Sequence, residues 1–418
     1  MSDLYLGLDV GTSGVRTIII DDNGATISES RSSMREHGSN LRDPAVWRAA
    51  TVESVKRGLD GIESKKIRAL AVDGTSGTVI ATDGECKPCC NALMYNDSCK
   101  DIALMELISE LAPKSSAAVG GNSALARAIA LDRDGATMVL HQADWISHMF
   151  SGRVVSDENN ALKTGYDLKQ RKWPDWIGNA GMDVKKLPEV VEPGVATGTV
   201  GVMAAHEFGF DENALVVAGT TDGCAGFLAT GAASSGDGVT SLGTTLTVKL
   251  LSENEISAPR YGIYSHRLFN KWLAGGASNT GGGVLLKYFT PETLDSLSLK
   301  IDPEVDSALD YYPLSKAGER FPVNDRDYMP RLSPRPDDDA EFLKGMFDGM
   351  ARIEARAYDL LQRLGAPSLR SIRTVGGGAR NGVWERIRAK RLGMEMLKPV
   401  NEEAAYGAAL IARHGAKC

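Results

Sequence analysis

Leu4 to Asp9 and Val15 to Asp21 are two apolar, β-branched runs joined by Gly11-Thr12-Ser13-Gly14, and Asn23-Gly24 turns the chain into a third run, Ala25 to Arg31. Runs of this kind, separated by glycine and small hydroxyl residues, predict a β-meander with a tight polar first turn. Ile67 to Val72 predicts another strand, ending on Asp73-Gly74-Thr75-Ser76-Gly77, and a further strand from Thr78 to Ala81 follows at once. Leu215 to Gly219 predicts a short buried strand that ends at Thr220-Thr221-Asp222-Gly223. The small residues from Cys224 to Ala233 then predict a helix packed close to other backbone.

At Val239 the opening pattern returns. Val239 to Leu242 leads through Gly243-Thr244-Thr245 into Leu246 to Leu250. Strand, Gly-Thr turn, strand is the unit of residues 4 to 21, and its return in the second half predicts two domains built on one plan. Phe342, Met346, Met350, Ile353, Ala357, Leu360 and Leu364 recur at helical spacing and predict a helix over 340–364. Asp337 to Asp339 favour its start, while Gly365 and Pro367 close it. That Met and Leu stripe reads as core packing. Glu402 to Arg413 predicts a last helix whose face of small residues lets backbones approach closely.

With 418 residues, 43% of them hydrophobic and 24% charged, the chain suits two globular domains of roughly 200 residues each. The net charge of -7 argues against a nucleic-acid or anionic-membrane partner. No apolar run approaches the roughly 18 residues needed to span a bilayer. Met1-Ser2-Asp3 passes straight into an apolar stretch with no basic leader or cleavage site, so the chain reads as cytoplasmic. Cys86, Cys89, Cys90 and Cys99 cluster, but no second cysteine pair or spaced histidines complete a zinc site, and reduced thiols are the better reading.

Several strand-terminal loops carry chemistry. ATP-dependent phosphoryl transfer needs backbone N–H groups or hydroxyls to cradle phosphates, a carboxylate to manage Mg2+, and a second carboxylate to take the acceptor's proton. No Gly-Lys-Ser/Thr P-loop and no strand-linked Gly-x-Gly-x-x-Gly is present. Asp9 to Gly14 places a carboxylate at a strand end before a turn of small hydroxyl residues, which is either a phosphate loop or simply a hairpin turn. Asp222 is either a helix cap or a general base. Gly243-Thr244-Thr245, Gly275 to Gly283 and Gly376 to Asn381 are further glycine-rich loops, suited to phosphate or adenine or else plain solvent loops.

Taken in order, these segments resemble the FGGY carbohydrate kinases along essentially the whole chain. The resemblance lies in Gly7 to Gly14, Ala218 to Gly223, Ser241 to Thr245, Val375 to Asn381 and Glu403 to Ala409. Within that family the chain looks most like the short D-ribulose kinases of cyanobacteria and plants, through Val72 to Thr78, Gln142 to Trp145, Asn160 to Tyr166 and Gly275 to Asn279. The resemblance implies an α/β, two-domain, actin-like ATPase fold (ribonuclease H-like) with its active site in the interdomain cleft. It implies a sugar-binding domain over 1–229, on which helix 402–418 packs back, and an ATP-binding domain over 230–401.

It also implies roles. Asp222 matches the catalytic base. Asp9, Thr12, Ser13, Gly14, Val15 and Ser76 match substrate contacts, with Asp73, Asn96 and Asp144 as further sugar contacts or loop-orienting groups. Gly11, Thr12, Thr244, Gly283, Gly378, Ala379, Arg380 and Asn381 match ATP contacts, and Asp9 matches a carboxylate that holds Mg2+ through water. The expected reaction moves the γ-phosphate of ATP to the terminal hydroxyl of D-ribulose. D-xylulose, another ketose or a polyol is the alternative acceptor. A non-catalytic sugar-binding regulator, or an ATPase that moves domains, are the alternatives of other classes.

Overall fold

The computed structural model describes residues 3–132 and 135–418 and forms two units. One comprises Met1–Ala229, His266–Phe269 and Glu403–Cys418, and the other Thr230–Ser265 and Asn270–Glu402.

In the first unit β1 (Leu4–Val10), β2 (Gly14–Asp21) and β3 (Thr26–Ser33) form the antiparallel meander that the Gly and Asn-Gly turns predict. β4 (Ile67–Gly74) follows. β5 (Val79–Thr82) pairs with β6 (Met138–His141), and β7 (Val155–Asp157) with β8 (Glu189–Val191), in two small separate ladders. β9 (Ala196–Thr199) and β10 (Leu215–Thr221) complete a six-stranded sheet ordered β3-β2-β1-β4-β10-β9. β1, β4 and β10 run parallel and adjacent. Parallel strands covered on both faces read as unbroken apolar runs, as these three do.

One face of the sheet carries Leu6, Leu8 and Val10 into a core with Trp47, Ile146 and Phe150. The other face carries Tyr5, Ala69, Ala71 and Val217 against the C-terminal helix Ala404–Gly415. The expected small-residue face is the reason this helix can dock. A Cβ placed on Gly407 would lie 1.9 Å from Ala225 O in the helix Asp222–Ala229, so the two backbones touch where no side chain fits.

In the second unit β11 (Asp237–Leu242) and β12 (Leu246–Ser252) form the second hairpin. β14 (Lys271–Ala277), β15 (Ser371–Val375) and β16 (Met396–Leu397) extend a sheet ordered β14-β12-β11-β15-β16, numbered after β13 (Ser265–Leu268), whose residues from His266 on belong to the first unit. The internal repeat holds beyond the hairpin. In each unit the first hairpin strand also pairs in parallel with a strand that ends in a Gly-rich turn, β4 after Asp73 and β15 after Val375.

The predicted helix spans Asp339–Arg363, and its stripe from Phe342 to Leu360 is buried. Asp338 caps it by accepting a hydrogen bond from Ala340 N at 2.8 Å. Beneath it lies a fully buried ion pair. Arg388 Nε and Nη2 donate to both oxygens of Glu354 at 2.6 and 2.7 Å, and Arg388 Nη1 donates to Thr374 Oγ1 at 2.9 Å. Thr240 Oγ1 donates to the same carboxylate at 2.5 Å. One charge pair thus ties the long helix and the helix Gly382–Leu392 to β11 and β15.

The strand expected over Thr78 to Ala81 forms as β5 and pairs with β6, a partner far along the chain. Two other expectations change. The helix expected to reach Ala233 ends at Ala229, ahead of Gly231 at φ +81. Gly275 and Gly276 lie in β14, opposite Lys249 and Val248, so the expected loop shortens to the residues after Ala277. Among the described residues no helix is long and apolar enough to cross a membrane.

Valine at position 407 tests the close approach. Gly407→Val should lower stability by about 3 kcal/mol or more, since overpacking against backbone has no flexible neighbour to absorb it. Gly178→Ala, where nothing lies within 4 Å of the added carbon, should shift the melting temperature little. Equal melting curves for the two variants would refute the docking account.

Candidate active site

Three carboxylates end the three parallel strands of the first unit. Asp9 on β1 stands opposite Asp73 on β4, and Asp73 stands opposite Thr220 on β10, two residues before Asp222. Asp222 is the first residue of the helix that leaves β10, and its Oδ1 accepts from Gly223 N at 2.7 Å. It is half-buried.

The environments of the three differ. Asp73 is fully buried, and among the described residues the carboxyl group of Asp9 is what its side chain has to share a proton with. Burial first, then the charges of Asp9 and Asp222, push its pKa well above the carboxylate range, so it favours the neutral acid. Asp9 is 5% exposed and accepts from Arg16 Nη1 at 3.0 Å, while Arg16 Nε pairs with Glu403 at 3.0 Å. Arg16 lies in no motif, and Glu403 opens the segment Glu403 to Ala409 without a role assigned from sequence; the signal for each is nearness to the first loop and to the start of the last helix.

The first loop is tight. Gly11 N donates to Gly14 O at 3.0 Å, and Ser13 O accepts from Met34 N at 2.9 Å. Thr12 and Ser13 are exposed, with their hydroxyls available to a ligand. Val15 differs from the expectation of a substrate contact: its side chain is fully buried in the core, because the β-strand alternation turns it inward.

The loop after β4 is fixed by Gln142, a residue that sequence reasoning left without a role. Gln142 Oε1 accepts from Thr75 N at 3.1 Å and from Thr75 Oγ1 at 2.7 Å. Ser76 Oγ and Gln142 Nε2 are buried without a partner. Asp144 caps the helix Gln142–Ser151 by accepting from His141 N at 3.0 Å, and burial raises its pKa well above the usual range. Asn96 sits on an exposed turn.

The second unit builds a cavity from its Gly-rich turns. Gly282 N donates to Gly243 O at 2.9 Å and Gly283 N to Thr244 O at 3.0 Å, which locks the turn after β11 onto the short helix Gly282–Leu285. Gly376, at φ +88, follows β15 and brings its backbone against Leu242 O, where a Cβ would lie 2.9 Å away. The cavity of about 530 Å³ is lined by Thr244, Gly283, Gly378, Arg380 and Asn381 among others, with Leu286, Phe347 and Trp384 as its apolar wall. Ala379, expected beside them, is not among its lining residues. Phe347 and Trp384 stack at 5.0 Å, and Asn381 caps the next helix by accepting from Trp384 N at 2.9 Å. Mostly apolar walls with a few fixed polar groups suit a flat heterocycle and its sugar. Buried Glu319, also missed in the sequence, holds the loop after β14 through Ser278 Oγ at 2.6 Å and Asn279 N at 2.8 Å.

Metal fit follows from the same geometry. Among the described residues the group of three His, Cys, Asp or Glu ligand atoms within 4.8 Å of one another is Glu36, His37 and Glu53. Asp9, Asp73 and Asp222 therefore form no close cage. An open carboxylate arrangement fits Mg2+, which keeps several waters and takes one or two carboxylates.

Comparison with known proteins matches both units to one family. The N-terminal domain of the FGGY family of carbohydrate kinases matches residues 4–124 and 126–229, and its C-terminal domain matches 238–416. A xylulose kinase of Staphylococcus xylosus is 24% identical, covering 98% of this chain and 90% of that protein. A xyloylose kinase from Brucella ovis superposes with a TM-score of 0.87 at 22% identity, covering 99% of this chain and 90% of that one. A gluconate kinase from Lactobacillus acidophilus superposes with a TM-score of 0.84 at 16% identity, covering 99% and 89%.

His141, which opens the helix bearing Gln142, gives a pH test. It is fully buried, with Nε2 at 2.8 Å from Thr164 Oγ1, and burial, then the charges of Arg127 and Lys163, pull its pKa down to about 3. Unfolded histidine titrates near about 6.5, so the unfolded chain binds a proton that the folded chain refuses. Stability is present above that value and is lost as pH falls through the window, by about 1.4 kcal/mol per pH unit. Urea denaturation at about pH 7.5 and about pH 5 should show a larger loss for the wild type than for His141→Gln. Equal losses would contradict a buried neutral imidazole.

Proposed function

The chain belongs to the FGGY family of carbohydrate kinases, and we propose that it transfers the γ-phosphate of ATP to the terminal hydroxyl of a ketopentose, D-ribulose first among them. The observation that carries the reading is Asp222, half-buried at the start of the helix that leaves β10, two residues beyond Thr220, which stands opposite Asp73 as Asp73 stands opposite Asp9.

Asp222 is the base. It accepts the proton of the ketose O5 as that oxygen attacks the γ-phosphorus in line and ADP leaves. Burial and the neighbouring carboxylates favour the neutral form of Asp73, which lessens its repulsion of the incoming phosphate. Thr12 and Ser13 offer exposed hydroxyls to phosphate or acceptor, with the Gly11–Gly14 turn holding them. In the second unit Thr244 and Gly283 face the phosphates, and Gly378, Arg380 and Asn381 face the adenosine. Asp9 would hold Mg2+ through water, and the ion would supply charge neutralisation to the transferring phosphoryl group.

The loop Gly74-Thr75-Ser76-Gly77 supports D-ribulose through its likeness to the short D-ribulose kinases. A second reading, D-xylulose, is favoured by the xylulose kinases among the relatives at 24% identity. Neither is fixed by the shared architecture, since a gluconate kinase superposes almost as well. One hydroxyl inverted in the acceptor changes which buried polar groups find partners.

ADP release with MgATP against D-ribulose, D-xylulose, L-ribulose, glycerol and gluconate tests the reading. D-ribulose should give the highest kcat/KM. A higher value for D-xylulose would replace the acceptor, and no stimulation by any of them would overturn the ketopentose reading. Asp222→Asn should lower kcat by on the order of 10²-fold or more while leaving the sugar bound. Near-normal turnover in that variant would remove Asp222 as the base.

A further inference from the structure

The turn beside Ser76 is held by a side chain that the proposed chemistry does not use. Arg127, on the helix Ala124–Leu131, is 4% exposed. Its Nε and Nη2 donate to Gly77 O at 3.1 and 2.8 Å, and its Nη1 donates to Asp97 O at 2.9 Å. One guanidinium therefore bridges the turn after Ser76 and the turn that carries Asn96.

A second set of bonds closes the same ring from the other side. Tyr95 N donates to Thr78 Oγ1 at 3.0 Å, Thr78 Oγ1 lies 2.7 Å from Thr75 Oγ1, and Thr75 Oγ1 donates to Gln142 Oε1 at 2.7 Å. Because the Thr75 proton goes to Gln142, Thr78 donates to Thr75. Thr75 N, an obligate donor, reaches the same Oε1 and so sets which way the Gln142 amide faces. Ser76 Oγ is left buried with no partner, a hydrogen-bonding capacity that the fold itself does not use.

Stability alone does not call for arginine here. Burying a guanidinium against two neutral carbonyls carries a desolvation cost that an apolar side chain of similar length avoids. The Asp97 carboxylate is already engaged by Arg42, and by Met94 N at 2.8 Å. What arginine adds is a rigid planar fork that sets two carbonyls at fixed separation, which lysine's single ammonium cannot reproduce. The fit is mutual: Gly77 has φ +88, and a Cβ there would lie 3.0 Å from Arg127 Nη2.

We infer that Arg127 is a positioning residue for acceptor recognition, setting the separation of the Ser76 and Asn96 turns and thereby the affinity for, and discrimination among, ketoses. This rests on the reading of the Ser76 loop as part of the acceptor site. Arg127 is buried with its guanidinium committed to the Gly77 and Asp97 carbonyls, so it acts through the two carbonyls it holds.

Two variants test it. Arg127→Lys keeps the charge and loses the fork; Arg127→Met keeps the length and loses both. In steady-state kinetics with the preferred ketose, its KM should rise about 10-fold or more in each, since a misplacement near 1 Å costs on the order of 10²-fold. The KM for ATP should stay within about twofold, and the preference for the best ketose over the next should shrink. Hydrogen exchange should accelerate at residues 75–78 and 94–97 and nowhere else. An unchanged ketose KM in a folded variant overturns the inference. So does a joint rise of both KM values with a falling melting temperature, which marks a general structural role. Where the methionine variant does not fold, the lysine variant alone decides. If the wild type phosphorylates no ketose, the proposed function fails, and hydrogen exchange still judges the clamp: acceleration confined to the two turns supports it, and unchanged exchange overturns it.

Discussion

Parallel pairing of β1, β4 and β10 is the constraint from which the chemistry of the first unit follows. Each strand is apolar enough to be covered on both faces, so the register is set by core packing, with no contribution needed from the polar groups at the strand ends. Once Leu8 stands opposite Val72 and Val217 opposite Ala71, Asp9 and Asp73 must face each other and Asp222 must follow close by. Bringing three carboxyl groups together is unfavourable, and the strain falls on the one furthest from water. Asp73 responds by favouring its neutral form.

The second unit repeats the plan and changes what the strand ends carry. Where the first unit has Asp9-Val10 before its Gly-Thr-Ser-Gly turn, the second has Ser241-Leu242 before Gly-Thr-Thr, so a serine stands in the place of the carboxylate. Where β4 carries Asp73 just before its last residue, Gly74, β15 ends on Val375 with three glycines following. The same topology therefore yields a carboxylate cluster in one unit and a backbone-lined, partly apolar cavity in the other. Glu354 and Arg388 hold the elements around that cavity. A buried ion pair adds little net stability over an apolar pair of equal volume, but breaking it is costly, so it fixes one arrangement of two helices on two strands.

Much of this was legible in the sequence because it was local. The two hairpins, the long helix with its Asp338 cap, and the glycine face of the last helix each follow from spacing within about 25 residues. What was not legible depends on partners far along the chain. Thr78 to Ala81 reads as a strand, but nothing in it names Met138–His141 as its partner. Gly275 and Gly276 read as loop because glycine is rare in strands, yet here it lets β14 lie against Val248 and Phe321. Val15 belongs to a ligand-facing segment by position and to the core by alternation. Arg16, Arg127 and Glu319 sit in no motif, and Gln142 opens a motif segment that assigns it no role, because a residue that holds a loop from another element leaves no local pattern that names what it does.

The central claim is that the β1, β4 and β10 strand ends receive the acceptor with its terminal hydroxyl on Asp222. A crystal structure with Mg2+, a non-hydrolysable ATP analogue and D-ribulose tests it most directly. The account predicts the ketose O5 at about 2.6–3.2 Å from the Asp222 carboxylate, with the sugar chain toward Ser76. A ketose seated away from these strand ends, or one presenting its carbonyl rather than its terminal hydroxyl to Asp222, would contradict it.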